Sequence, residues 1–291
     1  MNDLNGAQFL KGMSGAENIY LDNSAHTIYV TDLRGTVYLV AGSARGELRI
    51  EDSIHVGELA LGIVEGKDGY LYVGATRYAE KEYLTGKGGS LHRVSKDLKH
   101  SEVLFSGFPG INGLAADPGG NLYFTTGNLR FLKPEGRLYK VPFDSTRNCY
   151  DEPVVISDDL GSANGLYYSD YYAALILTET FGGVSMVYIP SHTRRTILDK
   201  TKMIEGFDDV TVDSEGRIWV AEPVGGCIKV FDPHEKKLTR FHIEGVGVGS
   251  SCRIGTNKNN EEVIYISERQ HKKNNDGRGL IAIPINQLFE E

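Results

Sequence analysis

Phe207-Asp208-Asp209-Val210-Thr211-Val212-Asp213-Ser214-Glu215-Gly216-Arg217-Ile218-Trp219-Val220 reads as one unit: an acidic pair, an alternating apolar run, a tight turn, and a second run rich in β-branched and aromatic side chains. Gly226-Cys227-Ile228-Lys229-Val230 follows as a third run opened by glycine. Period-2 alternation broken by a Glu-Gly turn predicts antiparallel strands rather than a helix.

The same unit recurs along the chain. Its openings are Glu17-Asn18-Ile19, Leu61-Gly62-Ile63, Asn112-Gly113-Leu114, Asn164-Gly165-Leu166, Asp208-Asp209-Val210 and Cys252-Arg253-Ile254. Turn and second strand recur as Lys67-Asp68-Gly69 before Tyr70-Leu71-Tyr72-Val73, and as Gly119-Gly120-Asn121 before Leu122-Tyr123-Phe124. Successive apolar anchors lie 44, 51, 52, 44 and 44 residues apart. Four short strands with tight turns occupy that length, which is the period of a propeller blade. The expected fold is therefore all-β: a six-bladed β-propeller with four-stranded antiparallel blades around a central tunnel, one domain over residues 1–291. Gln8-Phe9-Leu10 is the candidate edge strand that closes the last blade. The 35 glycines, about 12% of the chain against a usual ~7%, fall at turns and beside the axial positions Gly62, Gly113 and Gly165.

Composition narrows the function. With 31 basic and 39 acidic residues the net charge is −8, which disfavours phosphate-backbone binding, so no nucleic-acid partner is expected. No apolar stretch is long enough to span a membrane, and Met1–Leu10 lacks a charged start followed by an apolar run, so neither a span nor a signal peptide is expected. Cys149, Cys227 and Cys252 are odd in number, widely spaced and form no CxxC pair, which fits a cytoplasmic protein without disulfides or zinc.

The six repeats converge at the axis. The residue two before each anchor occupies the same structural position in every blade: Glu17, Leu61, Asn112, Asn164, Asp208 and Cys252. Taken singly, Asn or Asp before a strand also suits an Asx-type turn. Together, two carboxylates and two amide oxygens converge on one narrow channel, where uncompensated burial of charge is costly and a cation is the natural partner. These hard oxygen donors suit Ca²⁺, and Mg²⁺ or Mn²⁺ suit the same set. Asp209 is a further candidate ligand from the Asp208 loop. Leu61 and Cys252 are expected to line the pocket, Leu61 as an apolar wall for a partly hydrophobic small-molecule substrate.

The motifs Gly15-Ala16-Glu17-Asn18, Ile111-Asn112-Gly113-Leu114 with Asp117-Pro118, Ala163-Asn164-Gly165-Leu166 and Phe207-Asp208-Asp209-Val210-Thr211-Val212-Asp213 resemble the calcium-site motifs of one superfamily. It comprises the regucalcin/gluconolactonase (senescence-marker-protein-like) proteins, diisopropylfluorophosphatase, the paraoxonases and the strictosidine-synthase-like proteins. The resemblance runs from about Gly15 to about Ile283. It implies that Glu17, Asn112, Asn164 and Asp208 bind a catalytic calcium at the bottom of a pocket, and the Asp208-Asp209 doublet is similar to the paraoxonase pattern. It further implies a calcium-dependent hydrolase of lactones or esters, extending to organophosphates, with Asp208 as nucleophile or general base. Three departures qualify it. The sugar-gripping arginine of gluconolactonases is Gly110 here, Gly74-Ala75-Thr76 offers no paraoxonase-type histidine, and Thr211 and Gly255 replace the ligands of a second, structural calcium. A lyase, cyclase or isomerase on the same scaffold, or a non-catalytic calcium-binding propeller, are the alternatives.

The eight histidines show no HxH or HExxH spacing. Two insertions, Arg77 to Gly89 and Asn128 to Glu135, carry Tyr78, Tyr83, Leu129, Arg130 and Phe131. Tyr78 and Phe131 are the candidate pocket residues of a lid, and plain surface loops are the alternative.

Overall fold

In a computed structural model the chain is described over residues 8–13, 15–22, 26–43, 46–77, 87–127, 136–180, 183–199, 206–242, 247–256, 261–270 and 279–289. The insertion residues Tyr78, Tyr83, Leu129, Arg130 and Phe131 lie outside these ranges.

The alternating runs form six four-stranded antiparallel sheets, five of them paired in chain order. Their innermost strands are Ala16–Asp22, Leu59–Glu65, Ile111–Ala116, Ala163–Ser169, Val210–Val212 and Val248–Thr256. Each packs beside the next, and the first packs beside the last, so the blades close into a six-bladed β-propeller. Gln8–Leu10 pairs with Gly279–Pro284 as the outermost strand of the sixth blade, as expected. The ring is thus closed by hydrogen bonds between the two ends of the described chain. The longer third repeat holds an extra hairpin, Phe143–Asp144 with Cys149–Tyr150. The only helix among the described residues is Asn286–Phe289, and no helix there is long and apolar enough to cross a membrane.

The core is divided as the repeat dictates. Six apolar clusters form, one between each pair of neighbouring blades. Trp219, fully buried, serves the fifth and sixth blades together with Ile264, Ile266 and Ile283. Its indole N–H donates to Asp213 Oδ2 at 2.8 Å, while Asp213 Oδ1 accepts the backbone N–H groups of Glu215 and Arg217. One carboxylate thereby shapes the turn and anchors the largest core side chain. Cys149, Cys227 and Cys252 are free thiols.

A second device ties the blades together near the axis. Thr31, Thr125, Thr178 and Ser267 are equivalent second-strand positions. The Thr31 hydroxyl accepts the Asn18 N–H at 3.0 Å and donates across the blade boundary to Leu61 O at 2.6 Å. Thr125 accepts the Gly113 N–H and donates to Asn164 O. Thr178 donates to Asp208 O, and Ser267 accepts the Ser251 N–H and donates to Glu17 O at 2.8 Å. Each hydroxyl thus fixes the axial residue of the next blade. Thr125→Val keeps shape but leaves a buried N–H and C=O unpaired, so it is expected to cost about 1–3 kcal/mol in denaturant unfolding. A cost within error of zero would show the hydroxyl to be dispensable.

Candidate active site

Strand register defines the site as rings of equivalent positions. Glu17, Leu61, Asn112, Asn164 and Asp208 form the inner ring, as the repeat spacing implied, and all five line one cavity of about 420 Å³. The sixth member is Ser250, not Cys252. Cys252 pairs with Ile266 just as Ile19 pairs with Val30, so it is the anchor of its blade rather than the axial residue. Its buried thiol points into the apolar cluster and donates toward Trp219 O, and it is absent from the cavity wall. Burial raises its pKa well above the ordinary thiol range, which suits packing rather than nucleophilic chemistry. The sixth copy was misregistered because Cys252 and Ile254 point to the same face, and a two-residue slip leaves period-2 alternation unchanged.

Three residues beyond each second-strand anchor lies a second ring: Leu33, Thr76, Gly127, Thr180, Pro223 and Arg269, all lining the cavity. Two residues before the inner ring, Leu59, Gly110, Ser162 and Gly206 form the upper wall. Gly110, with no side chain, leaves that wall open and uncharged. Above the inner ring the described lining is apolar or small, with Arg269 its one charged side chain.

The floor is acidic and enclosed. Glu17 and Asp208 side chains are 6% and 10% exposed. Ser250 Oγ lies 3.0 Å from Glu17 Oε2 and 3.1 Å from Asp208 Oδ2. One hydroxyl proton can serve only one of these oxygens. Burial first, and then the neighbouring Glu17 charge, push the Asp208 carboxyl up to about 7, with Arg269 opposing them. Arg269 Nε donates to Glu17 Oε2 at 2.9 Å, and its Nη2 reaches Glu17 Oε1 at 2.6 Å and Asp208 Oδ2 at 3.4 Å.

Asn164 shows most directly what the floor lacks. Its Nδ2 donates to Thr180 Oγ1 at 3.2 Å and to Phe207 O at 3.3 Å. These bonds orient the amide so that Oδ1 is buried with no hydrogen-bond partner. A buried, unpaired carbonyl oxygen beside two carboxylates fits a hard cation, so the donor set of Glu17, Asn112, Asn164 and Asp208 suits such an ion.

Asp209 is placed differently from Asp208. Its Oδ2 accepts from Ser251, Arg253 and Asn18 Nδ2, and Asp209 is absent from the cavity wall. Arg253 also donates to Asn18 Oδ1 at 3.3 Å and to Val210 O at 2.9 Å. Asn18, Asp209, Ser251 and Arg253 thus form a polar plug below the floor. Burial raises the Asp209 pKa, and Arg253 pulls against it. No histidine lines the cavity among the described residues. His92 is buried beside Ser90 Oγ, and burial lowers its pKa.

Sequence reading missed Ser250, Thr180 and Arg269. A signal for Ser250 was present in Ser267, which matches Thr31, Thr125 and Thr178. That match places Ser251 beside Asn18 in the repeat, and Ser250 beside Glu17.

Several known proteins are similar to this one. A pentonolactonase from Haloferax volcanii is 24% identical over 156 residues, which is 52% of this chain and 51% of that protein, so the match spans about half the relative's length. A gluconolactonase structure from Xanthomonas campestris superposes with a TM-score of 0.66 at 17% identity, covering 96% of this chain and 89% of that one. The calcium-binding protein regucalcin from Agrobacterium tumefaciens gives 0.68 at 15% identity, covering 95% and 94%. At such identities the structures establish the shared fold. The family itself is shown by a match over residues 73–267, and the chain belongs to the SMP-30/gluconolactonase/LRE-like family.

Proposed function

We propose that this protein is a cation-dependent hydrolase of small lactones and related esters, with its reaction centre on the cavity floor. The observation that carries this reading is the convergence of Glu17, Asn112, Asn164 and Asp208 from equivalent positions of four blades, with Asn164 Oδ1 unpaired. Membership of a lactonase-containing family and the pentonolactonase relative support it. Those four residues would hold the ion, Ca²⁺ by the hardness of the donors, and Asp209 would brace the Asp208 loop from below through Arg253. Bound there, the ion would polarise a carbonyl and stabilise developing negative charge on its oxygen.

The chain's own residues account for the proton movements. Asp208, at the cavity surface of the floor, takes a proton from a water as that water adds to the lactone carbonyl carbon. The ring C–O bond then breaks, and the departing alkoxide takes the proton from Asp208. One water is consumed, and the product is a hydroxy acid, which releases its carboxyl proton to solvent. Direct attack by Asp208 would give an acyl-aspartate; where water cleaves it at the aspartyl carbon, single-turnover hydrolysis in ¹⁸O-water puts the label in Asp208, which general-base hydrolysis never does. Leu33, Leu59, Leu61, Phe207 and Pro223 line the space above and favour a lactone bearing an apolar substituent over a bare polyhydroxylated one.

The test is turnover of a panel: alkyl-substituted lactones, sugar lactones, aryl esters and an aryl phosphotriester, with and without chelator. Lactone hydrolysis is expected to fall by at least about a hundredfold on chelation and to return with added calcium. Undiminished activity in excess chelator would overturn the cation dependence. Absence of turnover across the panel by calcium-loaded protein would overturn the hydrolase reading.

A further inference from the structure

The floor holds a cation of its own. Arg269 belongs to the second ring, where the other five blades place Leu33, Thr76, Gly127, Thr180 and Pro223. From there its guanidinium bridges two inner-ring carboxylates, with a fork onto Glu17 at 2.6–2.9 Å and a reach of 3.4 Å to Asp208. A planar fork on a carboxylate is the geometry in which arginine binds best. The arrangement is nevertheless incomplete. The guanidinium donates to both carboxylates while Asn164 Oδ1 stays unpaired, so arginine answers the charge of the floor but not its full donor set. The Arg269 side chain is 33% exposed, against 6% for Glu17 and 10% for Asp208, so it covers them from the cavity side. The open cavity above gives it room to withdraw.

We infer that Arg269 is a displaceable internal counter-ion, which neutralises Glu17 and Asp208 until a divalent cation takes its place. This rests on the reading that Glu17, Asn112, Asn164 and Asp208 hold such a cation. Arg253 makes the comparison. It is 10% exposed at the side chain, lies under the floor, and pairs with Asp209, Asn18 and two backbone carbonyls. That guanidinium is built in. Arg269 stands at the cavity surface on the acceptors the metal would need. A retained positive charge there opposes an incoming cation, and a displaced one leaves the carboxylates free for it.

The experiment titrates calcium alone into chelator-treated wild type, Arg269→Gln and Arg269→Lys, by calorimetry and by thermal melting with and without the ion. Arg269→Gln is expected to bind calcium about tenfold or more tightly than wild type. Its metal-free form should melt below wild type, because Glu17 and Asp208 lose their partner, and calcium should raise its melting temperature by more than it raises that of wild type. Arg269→Lys keeps the charge but not the fork and should fall between them. If Arg269→Gln does not fold, Arg269→Lys decides the matter by the same shift in affinity. Unchanged or weaker calcium binding by a folded variant, with normal binding by wild type, overturns the counter-ion and leaves the cation site standing. Absence of calcium binding in all three proteins overturns both.

Discussion

Asp208→Asn is expected to lower kcat/KM for the preferred lactone by about a thousandfold, within the usual range for losing a general acid–base group. The substitution keeps shape and an oxygen donor while removing the charge that accepts the proton. Its effect on the fold should run the other way. The Asp208 carboxyl is raised from 3.8 to about 7, with burial and Glu17 as the main causes. A raised folded-state pKa means that stability present below the unfolded pKa is lost as pH climbs through the folded one. Metal-free wild type should therefore lose stability between about pH 4 and pH 7, and this part of its pH dependence should vanish in Asp208→Asn. At pH 8 the metal-free variant is expected to melt a few degrees above metal-free wild type. Loss of activity with a gain in metal-free stability would locate the defect in the site rather than in folding, and calcium occupancy of the variant separates lost proton transfer from lost metal binding. A variant retaining a tenth or more of wild-type kcat/KM would remove Asp208 from the proton-transfer role.

The fold was legible because one physical requirement recurs six times. An innermost strand, a tight turn and an aromatic or β-branched second strand must repeat at blade length, and runs such as Asp208–Val220 display all three. Four inner-ring oxygen donors were legible for the same reason, since each stands two residues before an anchor. The sixth position was not. The innermost strand Val248–Thr256 carries register shifts at Val248/Gly249 and Gly249/Ser251, and alternation alone cannot resolve a two-residue slip. Arg269 was hidden differently. It stands in the polar run Ser267-Glu268-Arg269-Gln270, whose composition carries no mark of a cavity-lining position. Only the pairing of Cys252 with Ile266 and Ser251 with Ser267 puts Arg269 in one ring with Leu33 and Thr180. The separate fates of Asp208 and Asp209 also needed the structure, because the sequence shows two adjacent carboxylates and not the guanidinium beneath one of them.

Gly165→Ala should damage the site from the neighbouring blade. Gly62, Gly113 and Gly165 occupy one repeat position, and an added Cβ would lie 2.2 Å from Asn112 O, 2.5 Å from Asn164 O and 2.6 Å from Asp208 O respectively. At Gly165 it would also meet Asp209 Cα at 2.5 Å, so the obstruction is backbone and cannot rotate away. Gly165 N–H donates to Asp208 O at 2.9 Å, and the Thr178 hydroxyl of the same blade donates to that carbonyl too. The two bonds position the fifth blade's entry loop, and alanine would push that loop off both. Overpacking of this kind costs about 1–3 kcal/mol and should lower the melting temperature by several degrees. Because the displaced residue is Asp208, kcat/KM should fall by about a hundredfold, as expected when a reacting group moves by about an ångström. Gly69→Ala supplies the contrast. Gly69 has φ of +81° and nothing within 4 Å of an added Cβ, so alanine there carries backbone strain of about 1–2 kcal/mol without touching the site. Both variants should melt early, but only Gly165→Ala should lose turnover and calcium affinity together. Equal turnover in the two would mean that the axial glycines serve the fold without setting the position of the cavity floor. Selective loss in Gly165→Ala would mean that the close approach of blades at the axis places the reacting carboxylate.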